Sequence, residues 1–166
     1  MIKIKYENMI INVEETIIEE IRSRRQLKYR DKESGGMVIG SIVNNSNEIE
    51  IRDYTIPQIG DFQSRCRFIR KKKTHNAILQ KKWMESHGTV MYMGEWHTHP
   101  ENDPHYSLQD IRNWRKLLKK SNTFYDHLFF IIGGINYYKI WVGNRISGEI
   151  VFIYKGAYDE ISSNSD

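Results

Sequence analysis

The chain contains a single cysteine, Cys66, among its 166 residues, and it has no long apolar run. One cysteine cannot form an internal disulfide framework, which favours a reducing, cytoplasmic setting, and it cannot supply a cysteine-based metal site on its own. No stretch approaches the ~20 consecutive apolar residues of a membrane span. The alternating N-terminus, residues 1–5, lacks the apolar run of a signal peptide. We therefore expect a cytoplasmic protein with no membrane partner.

Internal repeats, low-complexity tracts and interior linkers are also absent from the sequence. The length suffices for one domain with its own core, and the content of 39% hydrophobic and 28% charged residues is typical of a globular protein. Only the polar run at the C-terminus looks like a frayed end. We expect one domain over residues 1–160 and a flexible tail over residues 161–166.

The charge is unevenly distributed. The sequence has 25 Lys+Arg and 21 Asp+Glu, a net charge of +4, and its basic residues concentrate in segments 22–32 and 65–73. Such clusters bind nucleic acid or acidic protein surfaces in some proteins, but more often they form a solvated face. The aromatic residues form no stacking platform for bases. Nucleic acid is therefore not the expected partner, and salt-sensitive binding to it stays an alternative hypothesis.

Apolar periodicity predicts strands interrupted by helices. Three helices are expected, from Glu14 to about Arg30, from His75 to His87 and from Ser107 to Lys120. The predicted strands cover residues 10–13, 37–43, 48–56, 67–70, 90–98, 128–132, 137–142 and 150–154. This mixed order predicts an α/β (α+β mixed) fold with a curved mixed β-sheet flanked by helices. Cys66 is expected to be a small buried hydrophobic residue.

The most specific feature is the run His97-Thr98-His99-Pro100, followed after ten residues by Asp110. Side chains alternate along a strand, so both imidazoles point to one side. A carboxylate in the first turn of the following helix could complete three of the four tetrahedral positions around Zn²⁺, and three protein ligands plus a water are typical of a catalytic zinc site. Zinc can lower the pKa of its water to about 7. We predict one Zn²⁺ held by His97, His99 and Asp110.

A zinc hydrolase also needs a general base and a donor for the developing oxyanion. Glu95 lies two residues before His97, on the ligand side of the strand, whereas Glu33 lies far upstream, just before a glycine pair and a buried strand. Spacing alone slightly favours Glu95 as the base. Ser107 is a candidate oxyanion donor, although with Asp110 three residues later it also fits the N-cap of a helix.

Three segments together resemble the JAMM/MPN metalloprotease family, most of all its short bacterial members. They are Glu33-Ser34-Gly35-Gly36 with Gly40, Gly94 to Pro100, and Ser107-x-x-Asp110. The resemblance extends from about residue 10 to residue 155 and implies an MPN/JAB-like, cytidine-deaminase-like architecture. It implies that His97, His99 and Asp110 bind zinc and that Ser107 polarises the scissile carbonyl. It also implies that Glu33, rather than Glu95, is the general base.

The resemblance further implies the reaction and its partners. Family members hydrolyse isopeptide or peptide bonds after the C-terminal tail of ubiquitin or a ubiquitin-like protein. Some bacterial members belong to antiphage operons that encode ubiquitin-ligase-like enzymes, and are thought to release a signalling nucleotidyltransferase from conjugates. We therefore expect a zinc isopeptidase or endopeptidase acting on a ubiquitin-like tail or its conjugate, with a conjugated nucleotidyltransferase as one expected partner. The alternatives are a metal-free binding scaffold and, since two histidines and a carboxylate also suit Fe(II), a non-haem oxygenase.

Overall fold

The strands build one large sheet and one small hairpin. The computed structural model describes residues 1–44 and 46–161. The strands are β1 (Ile2–Tyr6), β2 (Met9–Val13), β3 (Gly35–Ile42), β4 (Glu48–Tyr54), β5 (Phe62–Ser64), β6 (Arg67–Ile69), β7 (Met91–Thr98), β8 (His127–Gly133), β9 (Tyr137–Asn144) and β10 (Ile150–Ala157). The helices are α1 (Glu15–Ser23), α2 (Lys72–Glu85), α3 (Leu108–Lys120) and α4 (Tyr158–Ile161).

The large sheet is mixed and strongly curved. Its eight strands follow the order β1-β2-β4-β3-β7-β8-β9-β10, and β5 pairs with β6 in a separate two-stranded sheet. The pairs β2–β4 and β7–β8 are parallel, and the other pairs are antiparallel. The two edge strands, β1 and β10, contact each other. The predicted α/β fold with a curved mixed sheet flanked by helices is therefore confirmed.

Apolar side chains are buried on both faces of the sheet. In β8, Phe129 and Ile131 belong to the cluster that includes α1, whereas Phe130 and Ile132 belong to the cluster beneath α3. This assignment follows the two-residue period of a strand. Trp114 of α3 stacks on Phe130, with 4.5 Å between the ring centroids. The second cluster fixes α3, and hence the start of that helix, against β8 and β9.

The first helix is shorter than the sequence predicted. It buries isoleucines at positions 17, 18 and 21 and ends at Ser23 instead of about Arg30. The next residues offer no apolar side chain that continues the buried stripe, and Gln26 is buried instead, where it donates to the backbone carbonyls of Asp31 and Arg65. These contacts hold residues 24–34 as a loop that leads to the candidate site.

The remaining predicted helices and strands differ from the observed ones mainly at their ends. Helix α2 begins at Lys72, three residues before the predicted start, and β5 and α4 had no counterpart in the prediction. Ile161, the first residue of the predicted tail, is the buried last residue of α4, and residues 162–166 lie outside the described residues. Within residues 1–44 and 46–161, none of the helices is long and apolar enough to cross a membrane.

A bulge in β7 sets which side chains face the site. The register between β3 and β7 shifts next to Gly94, whose φ is +139° and whose Cβ, if present, would lie 1.8 Å from the Phe129 carbonyl oxygen. The shift brings Tyr92 and Glu95 to the same face, although three positions separate them, and Arg70 contacts both. His97 follows on that face and Trp96 packs on the other. Glycine is therefore required where the strand turns towards the site.

Candidate active site

The three predicted metal ligands converge where β7 ends and α3 begins. The Nε2 atoms of His97 and His99 are 3.0 Å apart, and each lies 3.3 Å from an oxygen of the Asp110 carboxylate. The three donor atoms lie within 4.8 Å of one another. The side chains are only 8–17% exposed. The structure thus brings together residues that the sequence separates by up to thirteen positions.

The start of α3 aims the carboxylate at the histidines. Ser107 is the N-cap of α3, and its Oγ accepts the backbone N–H of Asp110 at 3.1 Å. In return, Asp110 Oδ2 accepts the backbone N–H of Ser107 at 2.6 Å. This capping box satisfies two N–H groups that the helix leaves unpaired and fixes the carboxylate in one orientation. Ser107 is exposed beside the cluster, so its place in the cap and its place at the site are compatible.

The outer nitrogen of His99 points to a further carboxylate. His99 Nδ1 is buried and has no hydrogen-bond partner among the described residues, and Glu101 Oε1 lies 3.8 Å from it. The other oxygen of Glu101 accepts the backbone N–H of His105. Histidines that bind zinc usually donate their second ring N–H to a carboxylate or carbonyl, which orients the ring. Sequence reasoning missed Glu101, although its position two residues after His99 was a usable signal.

Glu33 reaches the cluster through the register of two strands. Gly35 of β3 pairs with His97 of β7 in antiparallel register, so continuing the two chains places Glu33 opposite His99. Residues opposite each other in such a pair share a face. Glu33 Oε1 lies 3.7 Å from His99 Nε2, and Glu33 is buried. The structure therefore brings Glu33 to the ligands although 63 residues separate it from His97.

A buried network holds this segment in place. The hydroxyl of Thr98 accepts the backbone N–H of Ser34 at 2.9 Å and donates to Gln26 Oε1 at 3.3 Å. The hairpin of β5 and β6 adds two contacts to Glu33, whose N–H donates to Ser64 and whose carbonyl accepts the Gln63 amide. Sequence reasoning missed these supports because their partners are distant along the chain.

Burial and nearby charges shift the pKa values of the Glu33 and Asp110 carboxyls. Burial raises the pKa of the Glu33 carboxyl, and the two nearby histidines only partly oppose this. Burial also acts to raise the pKa of Asp110, but hydrogen bonds from His97 and His99 outweigh it and hold that pKa far below its usual range. Of these two carboxyls, Glu33 is therefore the one whose pKa is raised, and a raised pKa suits a general base.

Glu95, the other candidate base, is held by an ion pair. The strand parity predicted from the sequence places it in the same cleft as His97. However, Arg70 donates to Glu95 Oε1 from two nitrogens, at 2.7 and 3.1 Å. Both side chains are largely buried, with exposed fractions of 11% and 18%. The Glu95 carboxylate is therefore engaged by Arg70 on the wall of the cleft.

The cluster lies at the bottom of an open cleft. Residues 66–70 of the hairpin form one wall, residues 109–117 of α3 form the other, and the cleft has a volume of about 390 Å³. Its size falls in the usual range of ligand sites. Gly35 lets the hairpin approach, because a Cβ there would lie 2.5 Å from the Phe68 ring.

Cys66 is exposed on the hairpin, so the prediction that it is buried was wrong. The hairpin presents it to the cleft instead of to the core.

The donor chemistry of the cluster fits a zinc ion. Two imidazole nitrogens and a carboxylate oxygen are ligand types that Zn²⁺ accepts. The Nε2 atoms of His97 and His99 face each other at 3.0 Å. In neutral rings at most one of these nitrogens can donate a proton to the other, whereas a cation between them can accept the lone pairs of both. No cysteine contributes, and three protein ligands leave a position for water.

The chain is similar to known proteins over most of its length. Three curated proteins named "CD-NTase/cGAS isopeptidase" are similar to the chain. The protein from Vibrio cholerae is 30% identical over 84% of the chain and 83% of its own length. The protein from Escherichia coli is 30% identical over 87% of both chains, and that from Pseudomonas aeruginosa is 32% identical over 75% of the chain and 77% of its own length.

The fold also has a solved counterpart. A solution structure of a protein from Desulfitobacterium hafniense matches 86% of the chain and 88% of that protein, with a TM-score of 0.55 and 16% sequence identity. This likeness concerns the fold alone. A family profile, described as prokaryotic homologs of the JAB domain, matches residues 14–144. That match includes β7, α3 and the segment of Glu33, and the chain therefore belongs to the prokaryotic JAB domain family.

Proposed function

We propose that the protein is a zinc-dependent isopeptidase or endopeptidase that cleaves after the C-terminal tail of a ubiquitin-like protein or a conjugated target. The observation that carries the proposal is that Glu33, His97, Ser107 and Asp110 line one cleft. His99 lies directly beside three of them, Glu33, His97 and Asp110. Such a set combines metal ligands, a base and a hydrogen-bond donor, which together suit hydrolysis of an amide bond.

His97, His99 and Asp110 would hold the metal. When bound there, Zn²⁺ would supply Lewis acidity that generates a nucleophile from water near neutral pH. Trp114 packs 6.4 Å from His97, centroid to centroid, and the capping box fixes Asp110, so both residues are held before a substrate arrives. Such preorganisation avoids reorganisation during the reaction.

Glu33 would act as the general base. Its carboxylate lies beside His99 and its pKa is raised by burial, so it can take a proton from the attacking water and return it to the leaving amine. The Thr98 network and the β5–β6 hairpin keep it in position. Glu95 would instead orient Arg70 on the wall of the cleft.

Ser107 would donate to the carbonyl oxygen as negative charge develops on it. In the cap its Oγ only accepts, from the Asp110 N–H, so the hydroxyl hydrogen is free to donate elsewhere. The side chain is exposed at the edge of the cleft. One donor of this kind contributes about 10²–10³ in kcat in other hydrolases.

The relatives suggest the substrate. Because similar proteins are named CD-NTase/cGAS isopeptidases, we place the protein in CD-NTase systems of antiphage defence and take a CD-NTase conjugate as its substrate. An extended tail could pair with β6, which has β5 on only one side among the described strands and lies along the cleft. Main-chain hydrogen bonds of this type suit a flexible tail.

The test is cleavage of a purified CD-NTase conjugate, followed by gel electrophoresis and mass spectrometry of the products. We expect the wild-type protein to release the CD-NTase and the Glu33→Gln variant to be inactive while it keeps its metal and fold. Glu95→Gln should retain most of the activity. An active Glu33→Gln variant that contains metal would contradict the assigned base, and a zinc-loaded wild type that cleaves no conjugate would contradict the function.

A further inference from the structure

A groove extends from the metal cluster along α3. The cleft at the cluster shares Arg70, Lys72 and Leu117 with a second depression that reaches Lys120 at the end of the helix. The two therefore form one continuous groove, which begins at Asp110 and runs between α3 on one side and β6 with the first two turns of α2 on the other. We call it the α3 groove.

Exposed basic side chains line both sides of the α3 groove. They are Arg67 and Lys72 on one side and Arg112, Lys116 and Lys120 on the other. None of them forms an ion pair within residues 1–44 and 46–161. This part of the surface carries positive charge that no carboxylate of the described chain neutralises.

The carboxylates that line the α3 groove are all engaged in other contacts. Asp110 belongs to the ligand cluster, Glu33 lies against His99, and Glu95 is paired with Arg70. All three are at the end of the groove that holds the cluster, and the part beyond Leu117 is lined by no described acidic residue. Walls of one charge sign concentrate ligands of the opposite sign.

The basic residues of α3 form a distinct row. Positions 112, 116 and 120 are four apart, so they follow one face of the helix along the groove. Arg115 and Lys119 are also exposed on the same helix, but they line a separate depression with Arg145. The helix therefore contains a row of charges in the groove and a matched pair outside it.

We propose that the α3 groove binds an acidic polypeptide segment of the substrate, next to the bond that is cleaved. This inference rests on the proposed function, because it assumes that a polypeptide reaching the metal ligands through this groove is cleaved there. The basic row then selects substrates with Asp or Glu a few residues from the scissile bond. A polypeptide is favoured over nucleic acid because the groove leads into the cluster proposed to cut amide bonds.

The test uses internally quenched peptides that contain the bond identified in the conjugate assay. Three versions have Glu, Gln or Lys at the third to sixth positions on both sides of that bond. We expect wild-type kcat/KM to be about tenfold higher for the Glu peptide than for the Gln peptide, as for a few exposed ion pairs. The preference should shrink as ionic strength rises.

Charge reversal provides the decisive comparison. The Arg112→Glu/Lys116→Glu variant should lose the preference for the Glu peptide and cleave the Lys peptide faster than the wild type does. The matched control, Arg115→Glu/Lys119→Glu, changes the net charge equally on the same helix and should keep the wild-type preference. Circular dichroism and zinc content of both variants show whether the fold and the cluster are intact.

A second measurement does not depend on cleavage. Fluorescence anisotropy with the Glu33→Gln protein measures binding of fluorescein-labelled hexaglutamate, hexaglutamine and a single-stranded DNA oligonucleotide. Hexaglutamate should bind most tightly and lose affinity in the Arg112→Glu/Lys116→Glu variant only. Equal kcat/KM for the Glu and Gln peptides, equal effects of both charge reversals, or tighter binding of DNA through the same row would overturn the proposal. If the wild type cleaves nothing, the proposed function fails, and the binding data alone decide whether the groove is acid-selective.

Discussion

Thr98→Val is the substitution that tests most sharply how the fold supports the site. Thr98 lies between the two histidine ligands, is fully buried, and faces away from them. Its hydroxyl accepts the Ser34 N–H at 2.9 Å and donates to the Gln26 amide oxygen at 3.3 Å. Valine has nearly the same shape, so the substitution removes these two bonds and leaves both partners buried and unpaired.

The expected loss follows from the two unpaired groups. An unsatisfied buried donor or acceptor costs about 1–3 kcal/mol, so we expect the free energy of unfolding to fall by about 2–4 kcal/mol. With a urea dependence of about 2 kcal/mol per molar, the unfolding midpoint should drop by roughly 1–2 M. Because Ser34 adjoins Glu33, the carboxylate should also be displaced, and kcat should fall by about tenfold or more.

Thr55→Val is the matched control. Thr55 is also buried, and its hydroxyl accepts the Met37 N–H and contacts His75 Nδ1 at 2.6 Å. The Thr55→Val variant should lose a similar amount of stability. Its kcat, measured at a temperature where both variants are folded, should stay within about twofold of the wild-type value. A loss below about 0.5 kcal/mol in Thr98→Val, or equal losses of kcat in both variants, would refute this account of the network.

Two further predictions concern single carboxylates. Burial raises the pKa of Asp61, but two backbone N–H groups and His75 outweigh it and lower that pKa below its unfolded value. The ionised Asp61 therefore stabilises the fold at pH values above the unfolded pKa, and this stabilisation is lost as pH falls through the folded pKa. The difference in urea midpoint between wild type and Asp61→Asn should shrink from neutral to acidic pH. A difference that stays constant would contradict this. Glu101→Ala should weaken zinc binding about tenfold in a chelator competition, because His99 Nδ1 loses its carboxylate. The exposed control Glu19→Ala should bind zinc like wild type, and equal affinities in both variants would exclude a role for Glu101.

The local part of the site was predictable from the sequence alone. The alternation of a strand gives His97 and His99 one face, and the cap signature of Ser107 and Asp110 gives the start of α3. These signals act over a few residues, where backbone geometry is fixed by the type of element. The roles of all five site residues remain predictions until they are measured.

The position of Glu33 depends on the pairing of strands β3 and β7, which no local sequence pattern encodes. Spacing alone favoured Glu95, and only the family resemblance led to Glu33, because the register between β3 and β7 is set by the whole sheet. The same limit explains why β5, the partner of the predicted strand β6, and the pair of Arg70 and Glu95 were missed. The early end of α1 depended on hydrogen bonds of Gln26 to residues far along the chain.

Metal content is the most direct test of the central claim. The purified protein should contain about one zinc per chain by elemental mass spectrometry, and His97→Ala should contain none while remaining folded. Removal of zinc by a chelator should abolish cleavage of the conjugate, and added Zn²⁺ should restore it. A folded wild-type protein that binds no zinc after reloading, or one that cleaves equally well without metal, would contradict the account.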